Sequence, residues 1–298
     1  MDHDSPTIER FAAFSDSPDS GNPAGVVLDA ARLTATQMQQ VAAEVGYSET
    51  AFVTGPVHRA LGHGRGDRDA AAVIPIRYFA PEGEVDFCGH ATIATAVALC
   101  DSVGEGSYTL GTRVGPVAVT GRREGERNVG TLRSPAVGCL PLEEGMLAQL
   151  LESLHWSEQD LDPRFPPAIG FGGNRHPVLV ARDLARLETL AYDFPQLQRL
   201  SREQGWVTVH LTVPTEPGHW RARDPFPWGG VVEDPATGAA AAAFAGYLRH
   251  QGSADPGDRF VITQGLEMGR PSRIEVELLE EAALVSGSAT RIRLGGGG

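Results

Sequence analysis

The chain has 298 residues, 41% hydrophobic and 21% charged, which is long enough for two domains with buried cores and ordinary for a globular protein. A formal net charge of −13 disfavours nucleic acid and anionic membranes as partners, and no apolar run approaches the ~18 residues of a membrane span. All 25 basic residues are arginine, which excludes a pyridoxal Schiff base, a lysine aldolase and a Walker A phosphate loop, since each needs a lysine amine.

The opening MDHDSPTIER is acidic and polar and is not expected to be a secretory leader. Residues 7–14 read as a first strand, 15–25 as a turn-rich loop and 26–28 as a short buried strand. Residues 34–45 read as a helix, capped by Thr34 or Thr36 and stopped by Gly46, with Met38, Val41, Ala42 and Val45 facing inward. A strand over 47–55 follows, with Glu49 just ahead of Ala51, Phe52 and Val53. Residues 58–70 are expected to form an exposed loop whose His58 and His63 are solvated rather than metal ligands. Its GHGRG neither follows a strand closely nor opens a helix, so it is no dinucleotide loop. A strand over 74–79 leads through Pro81 into the stretch 84–100.

That stretch starts as a strand, with Val85 and Phe87 alternating with Glu84 and Asp86, and turns sharply through Cys88, Gly89 and His90. From Ala91 it reads as an alanine-rich helix with Ile93, Val97 and Cys100 on one apolar face. Strands are expected over 108–119 and 130–133, as a hairpin turning around 121–127. Pro135 and Pro141 bracket a crossover, so the expected domains are 1–137 plus 283–298 and then 138–282. In the second domain 143–154 reads as a helix, and 178–181, 184–190, 196–204 and 206–213 alternate strand and helix. Late strands are expected over 260–264 and 272–279, then a last strand over 284–294 returning to the first domain, and a flexible end at 295–298.

About half a chain beyond the first strand–turn–helix lies a second, residues 231–248. An acidic strand end there runs through Pro235, Thr237, Gly238 and Ala239 into another alanine-rich helix. A strand that turns straight into a helix aims free backbone N–H groups, and the positive end of the helix dipole, at one spot. Two such mouths, expected to face each other across a cleft, would hold a small anion from both sides.

Four side chains near these mouths can do chemistry. Glu49, with apolar residues beyond it, suits a proton shuttle near neutral pH, or is a surface strand residue. Asp234 could cap the second helix, orient His90 or take a proton itself. His90 at the first helix end is expected to be neutral and able to give or take a proton. The same dipole favours the thiolate of Cys88, which is otherwise a half-buried, inert cysteine. With Cys100 and Cys139 it makes three cysteines without CxxC spacing, so a reducing cytoplasm and no disulfide framework are expected. There is no G-x-S-x-G, no H-E-x-x-H and no clustered metal-ligand spacing, so no metal and no cofactor are expected. What remains is a cofactor-independent acid–base enzyme.

Five stretches, GNPAGVVL (21–28), YSETAFV (47–53), EVDFCGHATIATA (84–96), EDPATGAA (233–240) and QGLEMGRPS (264–272), occur in order. Together they resemble the phenazine-biosynthesis PhzF-like proteins, relatives of diaminopimelate epimerase. The resemblance implies an α+β fold of two pseudo-symmetric lobes, each a curved mixed β-sheet or barrel around a central α-helix. It also implies a cofactor-free isomerase that moves a proton between carbons of a small carboxylate-bearing substrate. Glu49 matches the family's acid/base, and His90 and Asp234 its other polar site residues. Cys88, Gly89, Thr237, Gly238 and Ala239 fall at its substrate-binding helix ends, and a homodimer is expected. Two departures stand out. Ala239 replaces the family's serine, removing a hydroxyl from the second mouth. The epimerase relatives use two facing cysteines, whereas residues 234–238 contain none, which makes a two-cysteine racemase improbable.

Overall fold

The computed structural model describes residues 6–57 and 73–293. The predicted loop with His58 and His63, the first five residues of the chain and the glycine-rich end over 295–298 lie outside the described residues. The chain divides into two compact units, Met1–Arg133 with Ser286–Gly298, and Ser134–Val285.

The first unit contains β1 (Glu9–Ala13), β2 (Asn22–Val27), α1 (Ala35–Val45), β3 (Glu49–Val53), β4 (Val73–Ala80), β5 (Gly83–Val85), α2 (Gly89–Val103), β6 (Gly106–Thr112), β7 (Gly115–Glu124) and β8 (Arg127–Arg133). The second contains β9 (Gly138–Pro141), α3 (Glu144–Ser153), β10 (Ala168–Phe171), β11 (Arg175–Val180), α4 (Leu184–Glu188), α5 (Phe194–Gln204), β12 (His210–Glu216), β13 (His219–Pro225), β14 (Glu233–Asp234), α6 (Gly238–His250), β15 (Arg259–Gln264) and β16 (Ser272–Leu278). The last strand, β17 (Ala283–Arg291), starts in the second unit and ends in the first.

In the first unit the ladder runs β1–β2–β3–β4–β6–β7–β8–β17 and returns to β1. Two of its pairings, β2 with β3 and β4 with β6, are parallel and the hairpins are antiparallel, so the sheet is mixed and closes into a barrel. Helix α2 packs against β1, β2, β3, β7 and β8, and every residue from His90 to Cys100 is buried. The sequence pattern suggests one apolar face; the structure buries the whole circumference. Alanine makes this possible, since its side chain lets strands approach from every side at little entropic cost. The strands yield too. A Cβ on Gly130 would lie 2.7 Å from the carbonyl oxygen of Ile93, so that close seat admits only glycine.

In the second unit the ladder runs β9–β10–β11–β12–β13–β15–β16, with parallel pairings at β11–β12 and β13–β15. Helix α6 is buried from Ala240 to Leu248 against β9, β10, β11 and β16. Phe244 at its centre meets Trp220 and Phe260 edge-on and stacks on Tyr247. A second apolar layer forms where α3, α4 and α5 bring Leu150, Leu154, Leu187 and Leu197 onto Trp206 and Leu211.

One sequence expectation is corrected here, and one strand is added. The single strand expected over 108–119 is two, because Gly115 adopts φ +113° and the Thr112 hydroxyl donates to its carbonyl, closing a tight turn. Strand β13 does not show in the sequence pattern, because its inward face reads Trp220, Ala222, Asp224, with a carboxylate where an apolar residue belongs. Asp224 is tolerated at 0% exposure because His210 bonds to it at 2.8 Å. Among the described residues no helix is long and apolar enough to cross a membrane.

Candidate functional site

The β4–β5 hairpin ends at Val85, and the chain turns into α2 with Cys88 as its N-cap. Cys88 makes no side-chain cap bond, and the first helical bond is from the Thr92 amide to the Cys88 carbonyl. The amides of Gly89, His90 and Ala91 therefore stand ahead of the helix's own ladder, at the positive end of its dipole. The turn is fixed from below. The Thr92 hydroxyl donates to the Cys88 carbonyl at 2.7 Å and is itself bonded to the buried Tyr78 hydroxyl at 2.7 Å. Burial pushes the Tyr78 pKa up, so that hydroxyl keeps its proton. The helix starts two residues earlier than the apolar pattern suggests, which places His90 inside its first turn.

Glu49 is the first residue of β3, and its parallel pairing with β2 sets it beside Ala24. Its carboxylate reaches the α2 mouth. Oε2 lies 3.4 Å from Nε2 of His90 and accepts from the Cys88 thiol at 3.4 Å. The Cys88 sulfur is 3.3 Å from Nδ1 of His90, and the Ser48 hydroxyl is 3.3 Å from Nε2. Among the described residues the only ion pair of Glu49 is the one with His90, and no arginine neutralises it. Glu49 is partly exposed while Cys88 and His90 are buried, so the carboxylate is the member of the group that meets solvent. Burial lowers the His90 pKa, offset in part by Glu49 and by a hydrogen bond to the Pro23 carbonyl. The direction is the one expected at a helix end, but burial is its leading cause. A carboxylate beside a neutral imidazole and a thiol, with free amides next to them, can move a proton and hold the negative charge that this creates.

The second unit builds its own helix mouth. Thr237 is the N-cap of α6 and makes no side-chain cap bond. Of the three roles open to Asp234, capping is not the one the turn shows, because Thr237 is the N-cap. Its Oδ2 accepts from the Thr237 hydroxyl at 2.6 Å. Gln264 at the end of β15 clamps the turn: its Oε1 accepts from the Thr237 amide at 3.1 Å, and its Nε2 donates to the Asp234 carbonyl at 2.7 Å. The preceding Glu233 is held by a two-pronged bond from Arg223, at 3.0 and 2.6 Å. Gly238, Ala239 and Ala240 occupy the first turn, ahead of the bond from the Ala241 amide to the Thr237 carbonyl.

The candidates thus fall into two groups: Glu49, Cys88, Gly89 and His90 in one unit, and Asp234, Thr237, Gly238 and Ala239 in the other. Three participants have no signature of their own. Pro23 and Ser48 act only through His90, and Gln264 is visible in the sequence only as the first letter of a motif. Among the histidine, cysteine, aspartate and glutamate side chains of the described residues, Glu49, Cys88 and His90 form a set of three whose ligand atoms lie within 4.8 Å of one another.

The profile of the phenazine biosynthesis-like (PhzC-PhzF) proteins matches residues 11–295. The chain belongs to this family. A Deinococcus radiodurans protein described as an uncharacterized isomerase is 38% identical over 90% of this chain and 85% of its own. The trans-2,3-dihydro-3-hydroxyanthranilate isomerase of Pseudomonas chlororaphis is 34% identical, covering 87% of this chain and 86% of its own. Among solved structures, the Bacillus anthracis phenazine biosynthesis protein of the PhzF family superposes with a TM-score of 0.81 at 25% identity, over 96% of each chain. A hydroxyproline epimerase from Agrobacterium vitis shares the fold alone, with a TM-score of 0.64 at 13% identity over 98% of this chain and 92% of its own. Members of this family are isomerases, and so is this chain.

Proposed function

We propose that this family member is a cofactor-independent isomerase that shifts a proton between carbons of a small, conjugated carboxylate, with Glu49 as the base and then the acid. The carrying observation is the Glu49 carboxylate at the α2 mouth, partly open to solvent, with no arginine among the described residues to neutralise it and with a buried imidazole at 3.4 Å. In this reading the first-turn amides of α2 hold the negative charge that develops as Glu49 removes a proton from a carbon acidified by conjugation. The same carboxyl returns the proton at another carbon and the double bond moves. Neutral His90 hydrogen-bonds the substrate.

We also infer that the two units repeat one pseudo-symmetric, diaminopimelate epimerase-like plan. Each encloses an alanine-rich helix that follows directly from a strand and a turn. The substrate need not be that of the Pseudomonas relative, because Ala239 offers no hydroxyl in the first turn of α6.

The test is Glu49→Gln, incubated in deuterated water with trans-2,3-dihydro-3-hydroxyanthranilate and a panel of small unsaturated carboxylates. The variant keeps the shape and loses the base, so turnover falls by about 10²–10⁴-fold. A Glu49→Gln enzyme that isomerises its substrate at the wild-type rate sinks the assignment. A second reading has Cys88 as a base, on the strength of its 3.4 Å contact with Glu49. Label position separates the two: an epimerase exchanges one carbon and leaves the double bonds in place.

A further inference from the structure

The fold assembles a donor set that no sequence spacing announces. Sγ of Cys88, Nε2 of His90 and Oε2 of Glu49 form a triangle with sides of 3.8 Å (S–N), 3.4 Å (S–O) and 3.4 Å (N–O). Zinc bonds to such atoms measure ~2.3 Å to sulfur, ~2.05 Å to nitrogen and ~2.1 Å to oxygen, and from those lengths the three sides subtend about 120°, 100° and 110°. These angles add to less than a full turn, so a single point meets all three bond lengths. It stands out of the donor plane as the apex of a near-tetrahedral arrangement in which the protein supplies three of four ligands.

The group is also spread more widely than hydrogen bonding alone would leave it. The His90–Glu49 separation of 3.4 Å exceeds the ~2.9 Å of a good N–H···O bond.

We propose that Glu49, Cys88 and His90 form a binding site for a zinc-type divalent ion, and that the ion shuts the reaction site when it binds. Sulfur and imidazole select zinc, cobalt(II) or copper over magnesium and calcium, which prefer all-oxygen sites. Binding replaces the thiol proton, which leaves to solvent. The thiolate and the carboxylate then balance the two charges of the ion. The positive end of the α2 dipole repels the cation, so the site binds more weakly than a four-ligand structural zinc site. Coordination through Oε2 draws charge from the Glu49 carboxylate and makes it a weaker base for a carbon acid, and the fourth position takes water or the substrate carboxylate. The inhibition rests on the reading of Glu49 as the base; the ion site does not.

The experiment is a cobalt(II) titration of the chain, free of any histidine tag and stripped with a chelator, followed by zinc displacement. One equivalent of cobalt is expected to raise a near-ultraviolet thiolate-to-cobalt charge-transfer band that zinc removes. Cys88→Ala and Cys88→Ser should each abolish the band, with the fold checked by circular dichroism and thermal unfolding of the whole chain, and Glu49→Gln and His90→Ala should weaken binding by about tenfold or more. No band, or a band that survives at Cys100 or Cys139 when Cys88 is replaced, overturns the site. In a separate arm, zinc should inhibit isomerisation and a chelator should restore it. A saturated ion site with undiminished turnover would leave the ion site standing and overturn the inhibition, while the role of Glu49 as the base is decided separately by Glu49→Gln.

Discussion

The core of the second unit contains a pH-sensitive element whose cost can be worked out. His176, His210 and Asp224 are at 0%, 1% and 0% exposure, on the adjacent strands β11, β12 and β13. Nδ1 of His176 bonds to the Thr208 hydroxyl at 2.9 Å, and its buried Nε2 has no partner among the described residues. Burial pushes the His176 pKa down to about 4, His210 adds to the effect and Asp224 opposes it. An unfolded histidine titrates near ~6.5, so below that pH the unfolded chain takes up a proton that the folded chain refuses. Stability therefore falls as pH drops through ~6.5 and stops falling, on this account, near the folded pKa. The whole window costs about 3 kcal/mol, of which about 2 kcal/mol is spent between roughly pH 7.5 and pH 5. All four tryptophans, at 156, 206, 220 and 228, lie in the second unit, so their emission during urea unfolding follows that unit. His176→Asn can keep a bond to Thr208 and cannot titrate. Its stability should be about 2 kcal/mol less sensitive over the same pH range than that of the wild type. Parallel pH profiles for the two proteins would refute the reasoning.

Three further outcomes are expected. Gly130→Ala drives a methyl group to 2.7 Å from the Ile93 carbonyl of α2; it should destabilise the first unit by about 1–3 kcal/mol in thermal unfolding and slow turnover by shifting the mouth, whereas unchanged melting would contradict the close seat. Arg223→Ala strips the partner from a Glu233 side chain that is 5% exposed, and should cost the second unit about 3–5 kcal/mol by tryptophan fluorescence, more than any exposed arginine would. Ala239→Ser places a hydroxyl in the first turn of α6; it should change kcat/KM between substrates by about tenfold while leaving the melting temperature nearly unchanged, and an unaltered substrate ranking would count against a role for this position.

Much of the site was legible because its chemistry sits at breaks in pattern. Cys88, Gly89 and His90 stand where a two-residue period becomes a helix, and Asp234 to Ala239 mark the same change later in the chain. Glu49 is the polar first residue of an apolar strand. Such junctions are local, and local geometry dictates that a helix opening there leaves its first amides free. The family could be read from five ordered stretches for the same reason, since each encodes a turn or a cap.

What the chain order could not state was which atoms meet. Glu49 reaches His90 only because β2 and β3 pair in parallel and α2 runs through a closed barrel. The enclosure of α2 and α6 was hidden because an alanine-rich helix has no strong apolar stripe, and strand β13 because a buried Asp224 breaks its alternation. The order of amino acids settled the turns, the caps, the missing lysines and the identity of the reactive groups. The 3.4 Å spacing of a carboxylate, a thiol and an imidazole came from folding alone, because long-range strand pairing, and not any local preference, carries residues 49, 88 and 90 to one point.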